Sequence, residues 1–157
     1  LTDCLKRLNT EDETIKGKLQ DEWTRFQTSD FYPILAPYRQ SYQAEHPFNL
    51  KLGNHLISGR MDGIFQSLSG WHVIDYKSTE SPPKSAAQLP EHTLLQLKLY
   101  TLALHHLKNH PQTQYETFLY YTQSQHYFSI AFSLKELQKL EEEIIHKSTQ
   151  SKITYQQ

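Results

Sequence analysis

The chain is expected to form an α/β (α+β) domain, a mixed and mainly antiparallel sheet of about five strands flanked by helices. Three observations carry that expectation. Apolar residues recur at helical spacing near the start, the middle and the end of the chain, and segments of strand-like character fill the gaps between them. Short turns join the first three of those strand-like segments, so these must be mostly antiparallel. A strand that follows the central helix can return parallel through a right-handed crossover.

The first helix is expected over roughly residues 11–28, where Ile15, Leu19, Trp23 and Phe26 are spaced for one face and charged residues fill the others. Asp30, Pro33 and Pro37 end it and open an irregular connection. A strand over residues 42–52 then sets Phe48, Leu50 and Leu52 on one face, and Gly53-Asn54 turns it into a second strand over 55–65. Ser67, Leu68, Ser69 and Gly70 turn again into a third strand over 71–78. Residues 80–90, with Pro82, Pro83 and Pro90, read as a loop. The following helix, over 91–107, is apolar on more than one face and so is expected to be covered on two sides; Asn109, His110 and Pro111 stop it. Two aromatic-rich strands over 115–122 and 126–132 follow, and Ser133-Leu134-Lys135-Glu136 is a capping-box sequence that opens a last helix through Leu137, Leu140 and Ile144.

At 157 residues the chain is expected to be one domain with a real core. No apolar run approaches the ~20 residues of a membrane span, and no secretory pattern stands at its start, so a cytoplasmic location without membrane partners is the default. Because it starts at Leu1 rather than Met, it is read as a piece of a longer protein. The lone Cys4 excludes an internal disulfide and an iron–sulfur cluster held by this chain alone. No glycine-rich phosphate loop is present, so no nucleotide cofactor is expected by that route. Sixteen basic against seventeen acidic residues give a net charge of −1. A nucleic-acid substrate would therefore meet local positive charge or bound metal rather than a generally basic surface.

The most informative stretch is 59–77, in which Asp62, Asp75 and Lys77 interrupt strand-like segments. Burying such charges is costly unless they are paired or bound to metal. Alternation sets Trp71, Val73, Asp75 and Lys77 on one face of the third strand, with Asp75 and Lys77 about 6–7 Å apart. Pairing of the second and third strands can bring Asp62 near Asp75. Two carboxylates over one point repel unless a cation lies between them, and hard oxygen donors favour Mg²⁺ or Mn²⁺. A lysine beside them can stabilise charge on a phosphate or help activate water, which together make a kit for phosphodiester hydrolysis.

Gly59-Arg60-Met61-Asp62, then Val73-Ile74-Asp75-Tyr76-Lys77-Ser78, then Gln96-Leu97-Lys98-Leu99-Tyr100 resemble, in order, the motifs of the PD-(D/E)XK nuclease superfamily. The resemblance is to its RecB-like branch, found at the ends of UvrD-type helicase–nucleases, and is strongest over residues 45–100. It implies a restriction-endonuclease-like core and Mg²⁺- or Mn²⁺-dependent cleavage of DNA in end processing, recombination or repair, with a helicase as a possible partner. It also implies Asp62 and Asp75 as metal ligands with the Tyr76 backbone carbonyl, and Lys77 as catalytic. Gln96 and Tyr100, one helical turn apart, would contact DNA or brace the ligands. Arg60 would contact a phosphate or pair with a carboxylate. Glu45, ahead of Phe48, matches a glutamate–aromatic signature and is read as site-supporting rather than as a ligand.

The chain departs from that branch in two ways. No histidine precedes His46, whereas the branch carries an upstream histidine at the metal, and the cysteines of iron–sulfur relatives are absent. The alternatives are thus a catalytically inactive nuclease-fold module that binds DNA or a helicase, and a metal-free domain whose acidic pair is a surface feature. Tyr120, Tyr121, Tyr127 and Phe128 can stack on bases, but aromatics in strands are read first as core. His105 and His106 sit near a helix end with no third ligand in view, so a zinc site is not expected.

Overall fold

The computed structural model describes residues 12–79, 81–110, 112 and 114–153, with 148–153 as backbone alone. Cys4, Glu80 and Pro111 fall outside them. Within this range the elements are α1 (Glu13–Gln27), the short α2 (Tyr32–Leu35), β1 (Gln43–Leu52), β2 (His55–Ser67), β3 (Gly70–Lys77), α3 (Glu91–Lys108), β4 (Gln114–Tyr121), β5 (His126–Ser133) and α4 (Leu134–Ile153). Single 3₁₀ turns at Ala36–Tyr38 and Ala86–Gln88 complete the described path.

The five strands form one sheet in the order β1-β2-β3-β4-β5. Neighbours are antiparallel except β3 and β4, which are parallel across the α3 connection. This is the mixed, mainly antiparallel sheet that the element order demanded. Gly53, at φ +57°, makes the tight turn between β1 and β2. The second turn is tighter than expected: Ser67 already pairs with Gly70, leaving Leu68 and Ser69 as its tip.

Each face of the sheet carries its own core. On one face Phe48, Leu50, Leu52, Val73 and Leu119 pack with Leu97, Leu104 and Leu137, so α3 and α4 cover it. Helix α3 is covered on two sides, by the sheet and by α4, as anticipated, although Leu95 and Leu107 remain exposed. On the other face Phe65, Ile74, Phe118 and Tyr120 pack with Phe31 and Leu35 around α2. Tyr120, Tyr121 and Phe128 are buried, so the core reading of those aromatics holds; Tyr127 is half-buried.

Local signals hold well at the helix ends. Ser133 and Glu136 form the reciprocal capping box of α4: the Glu136 N–H donates to Ser133 Oγ at 3.3 Å and the Ser133 N–H to Glu136 Oε2 at 2.8 Å. Asn109 caps α3 in the left-handed conformation, its N–H donating to the His105 carbonyl. The first helix departs from its pattern. None of its residues is buried, and Ile15 is exposed while Leu19, Trp23 and Phe26 are half-covered. The stripe is apolar, but it meets the core only at its margin, where Phe26 packs against the second cluster.

Candidate functional site

The site forms where the sheet splits. Pairing of β2 with β3 ends at Gly63 opposite Ile74, while Asp75, Tyr76 and Lys77 continue beside Leu119, Tyr120 and Tyr121 of β4. The Tyr76 N–H, which has left β2's ladder, donates instead to Asp62 Oδ2 at 2.9 Å. Asp62 is thus held at the fork by the backbone of the next strand.

A second irregularity aims it there. Met61 and Ile64 lie three residues apart yet share one core cluster, which strict alternation forbids. The strand therefore turns over between them, at Asp62 and Gly63. Opposite, the β1–β2 pairing runs from Ala44↔Gly63 to His46↔Met61 and skips Glu45, which has φ +52°. A left-handed conformation at a residue with a Cβ costs about 1–2 kcal/mol, so the surrounding structure imposes it.

Asp75 is 2% exposed and faces the α3 side of the sheet. Lys77 Nζ approaches Asp75 Oδ2 at 2.8 Å, but not along a hydrogen-bonding direction, so this buried oxygen makes an ion contact and accepts no hydrogen bond. Burial pushes the Asp75 carboxyl above the usual carboxylate range; Lys77 opposes the shift and the nearby Asp62 carboxylate adds to it. The Lys77 ammonium also donates to Gln96 Oε1 at 3.2 Å, and Gln96 Nε2 donates to the Tyr100 hydroxyl at 3.0 Å. The Tyr100 ring is fixed edge-on to Phe48, 5.8 Å between centroids. Asp75, Lys77, Gln96 and Tyr100 therefore form one continuous polar chain from the sheet onto α3.

Tyr42, which sequence reasoning passed over, closes the other side. Its hydroxyl lies 3.2 Å from that of Tyr76, and burial pushes both phenols up, with Asp62 adding to each. Its ring lies on Gly63: a Cβ there would meet Tyr42 Cε2 at 2.7 Å and its hydroxyl at 2.9 Å. The available signal was a tyrosine just before a strand that pairs with a glycine beside the first acidic residue. Pairing had to be known before that signal could be read.

Of the residues singled out from sequence, Asp62, Asp75, Tyr76, Lys77, Gln96 and Tyr100 share this site. Arg60 pairs with a carboxylate, one of its two expected roles, but with that of Glu45, Nη1 to Oε2 at 3.4 Å, both well exposed on the β1–β2 hairpin. An exposed pair of this kind is worth little to stability. Among the described residues no three His, Cys, Asp or Glu side chains converge to hold a metal, so side-chain ligation here rests on two carboxylates.

Those two carboxylates suit a cation chemically. Asp75 presents a buried oxygen without a hydrogen-bond donor, and Asp62 keeps lone pairs beyond the one that Tyr76 engages. A hard divalent ion would offset their repulsion, and an all-oxygen donor set favours Mg²⁺ or Mn²⁺ over softer metals.

A family model for the PD-(D/E)XK nuclease superfamily matches residues 3–155 of the chain. No curated protein matches it.

Proposed function

The chain belongs to the PD-(D/E)XK nuclease superfamily, and from that premise we propose that it hydrolyses phosphodiester bonds in DNA with Mg²⁺ or Mn²⁺. The observation that carries this reading is the buried Asp75 oxygen that accepts no hydrogen bond, beside Asp62 and in ion contact with Lys77. Asp62, Asp75 and the Tyr76 carbonyl would hold the metal. When bound, the metal polarises the phosphate and lowers the pKa of its water. The protein's own part is positioning. The Tyr76 N–H orients Asp62, and Gln96, fixed by Tyr100, holds the Lys77 ammonium beside Asp75. From there Lys77 can stabilise negative charge that develops on the phosphate, where preorganised donors act most strongly.

The Lys77–Gln96–Tyr100 chain favours the RecB-like branch, in which a glutamine–tyrosine helix flanks the site, and with it work beside a helicase in DNA end processing, recombination or repair. A second reading, a nuclease fold that binds DNA or a helicase without cutting, draws weight from the absence of a third converging metal-ligating side chain among the described residues. Calorimetric titration with Mn²⁺ and cleavage of labelled single- and double-stranded DNA separate the two. The nuclease reading expects metal binding and metal-dependent cleavage that Asp75→Ala abolishes. Tight DNA binding with no cleavage in Mn²⁺ would overturn it in favour of the second.

A further inference from the structure

The half-covered stripe of α1 does not face open solvent everywhere. Trp23 and Phe26 overhang Tyr76, and together with Tyr32, Tyr42 and Arg39 they wall a hollow of about 280 Å³. A second hollow of about 290 Å³ continues past the same Trp23, Phe26 and Tyr76. The first is near the small end of ligand pockets, which begin at about 300 Å³, so it suits one flat group rather than a large ligand. Its walls are aromatic faces and edges: Tyr32 stands perpendicular to Trp23 at 6.4 Å and to Phe26 at 5.5 Å. Arg39, exposed at its edge, is the one charged residue of the lining.

The hollow is joined to the polar site through two residues. Tyr76 gives its N–H to Asp62 and its side chain to the hollow, and Tyr42 touches Tyr76 through its hydroxyl. Whatever occupies the hollow is thus one residue of backbone away from the carboxylate pair. Aromatic walls with a single cation and no carboxylate match a nucleobase whose own strand carries a phosphate past Arg39. We infer that this hollow receives an unpaired base of single-stranded DNA and so brings the strand to Asp62 at the fork of the sheet, with Asp75 on the far face of β3. The inference rests on the nuclease reading of that site for its biological sense, but it is tested without cleavage.

The chain's two tryptophans are Trp23 and Trp71. A Trp71→Phe variant leaves Trp23 as the sole reporter; Trp71 belongs to the opposite face of the sheet, under Lys108. In EDTA, a short oligodeoxythymidylate is titrated against this protein, in parallel with an abasic strand and a blunt duplex of equal length. The expected result is saturable quenching by the oligodeoxythymidylate and little by the other two. Adding Tyr32→Leu should weaken binding about 5- to 150-fold, the range for loss of one base-stacking contact, and adding Arg39→Ala should weaken it and flatten its salt dependence by the loss of one phosphate contact. Arg39 is exposed, so its variant also serves where Tyr32→Leu fails to fold. Absence of quenching, equal quenching by abasic or duplex probes, or unchanged affinity in the Arg39→Ala protein would each overturn the inference. Quenching that persists in a protein that cleaves nothing in Mn²⁺ overturns the nuclease reading alone and leaves the base site standing.

Discussion

Replacing Asp75 by asparagine separates a carboxylate kept for a metal from one kept for the fold. In the metal-free protein Asp75 is buried, near Asp62, and its Oδ2 accepts no hydrogen bond. Burial disfavours the charged form, and the neutral amide, whose oxygen can still face Lys77, lifts a desolvation penalty of about 1–3 kcal/mol. Lys77, left behind, is 32% exposed and still donates to Gln96, so it is not stranded. Asp75→Asn should therefore stabilise the protein in EDTA by about 1–3 kcal/mol. At roughly 2–4 °C per kcal/mol for a chain of this size, that is a rise in Tm of about 2–12 °C. Metal should close the gap or reverse the ranking: at a hundred times its Kd, Mg²⁺ adds about 2.7 kcal/mol to the wild type and nothing to the variant. Thermal melts of both proteins in EDTA and in saturating Mg²⁺ give all four values. A structural ion pair would behave oppositely, because breaking a buried pair costs about 3–5 kcal/mol. A variant that melts well below wild type in EDTA, with no metal effect on either protein, would refute the reasoning and support the metal-free alternative.

Gly63→Ala should cost about 1–3 kcal/mol in urea unfolding, because the new methyl meets the Tyr42 ring at 2.7 Å; an unchanged midpoint would mean that Tyr42 does not rest there. Ser133→Ala should cost about 0.5–2 kcal/mol at neutral pH by removing the cap of α4. The Ser133 bonds hold Glu136's pKa below its ordinary value, so the capping contribution is present above the usual glutamate range. It is lost as pH falls through the lowered pKa, and the variant and wild type should converge there in chemical denaturation. His72, stacked on Phe65 at 4.7 Å, is held below its ordinary 6.5 mainly by burial. Its neutral form is the folded one, so wild type should lose stability as pH falls below about 6.5, and His72→Phe should lose less over the same window. Equal pH slopes would contradict that.

Much of this site was legible because strand alternation is a strong constraint. Asp75 and Lys77 had to share a face, and Gln96 and Tyr100 had to sit one turn apart; both relations stand, at 2.8 and 3.0 Å. The proximity of Asp62 to Asp75 followed from the short turn between their strands. Its means did not: the Tyr76 N–H is free for Asp62 because β2 turns over at Asp62–Gly63 and its pairing with β3 ends there, an irregularity that the alternating pattern does not encode. Arg60 was expected on a phosphate or a carboxylate, and which carboxylate, Glu45 on the neighbouring strand, depended on the β1–β2 pairing. Helix α1 shows the opposite limit. Its apolar period was real, but periodicity reports that a face is apolar and not what covers it.

The central claim is that Asp75 serves metal binding while Lys77 serves the chemistry. Its most direct test is one measurement on three proteins, wild type, Asp75→Asn and Lys77→Met: the initial rate of cleavage of a labelled single-stranded oligonucleotide as a function of Mn²⁺ concentration. The prediction is a saturating metal dependence for wild type and the same half-saturation in Lys77→Met with a rate lower by about 10²–10³-fold. Asp75→Asn should show no metal-dependent rate. Cleavage by Asp75→Asn with the wild-type metal curve would contradict the assignment.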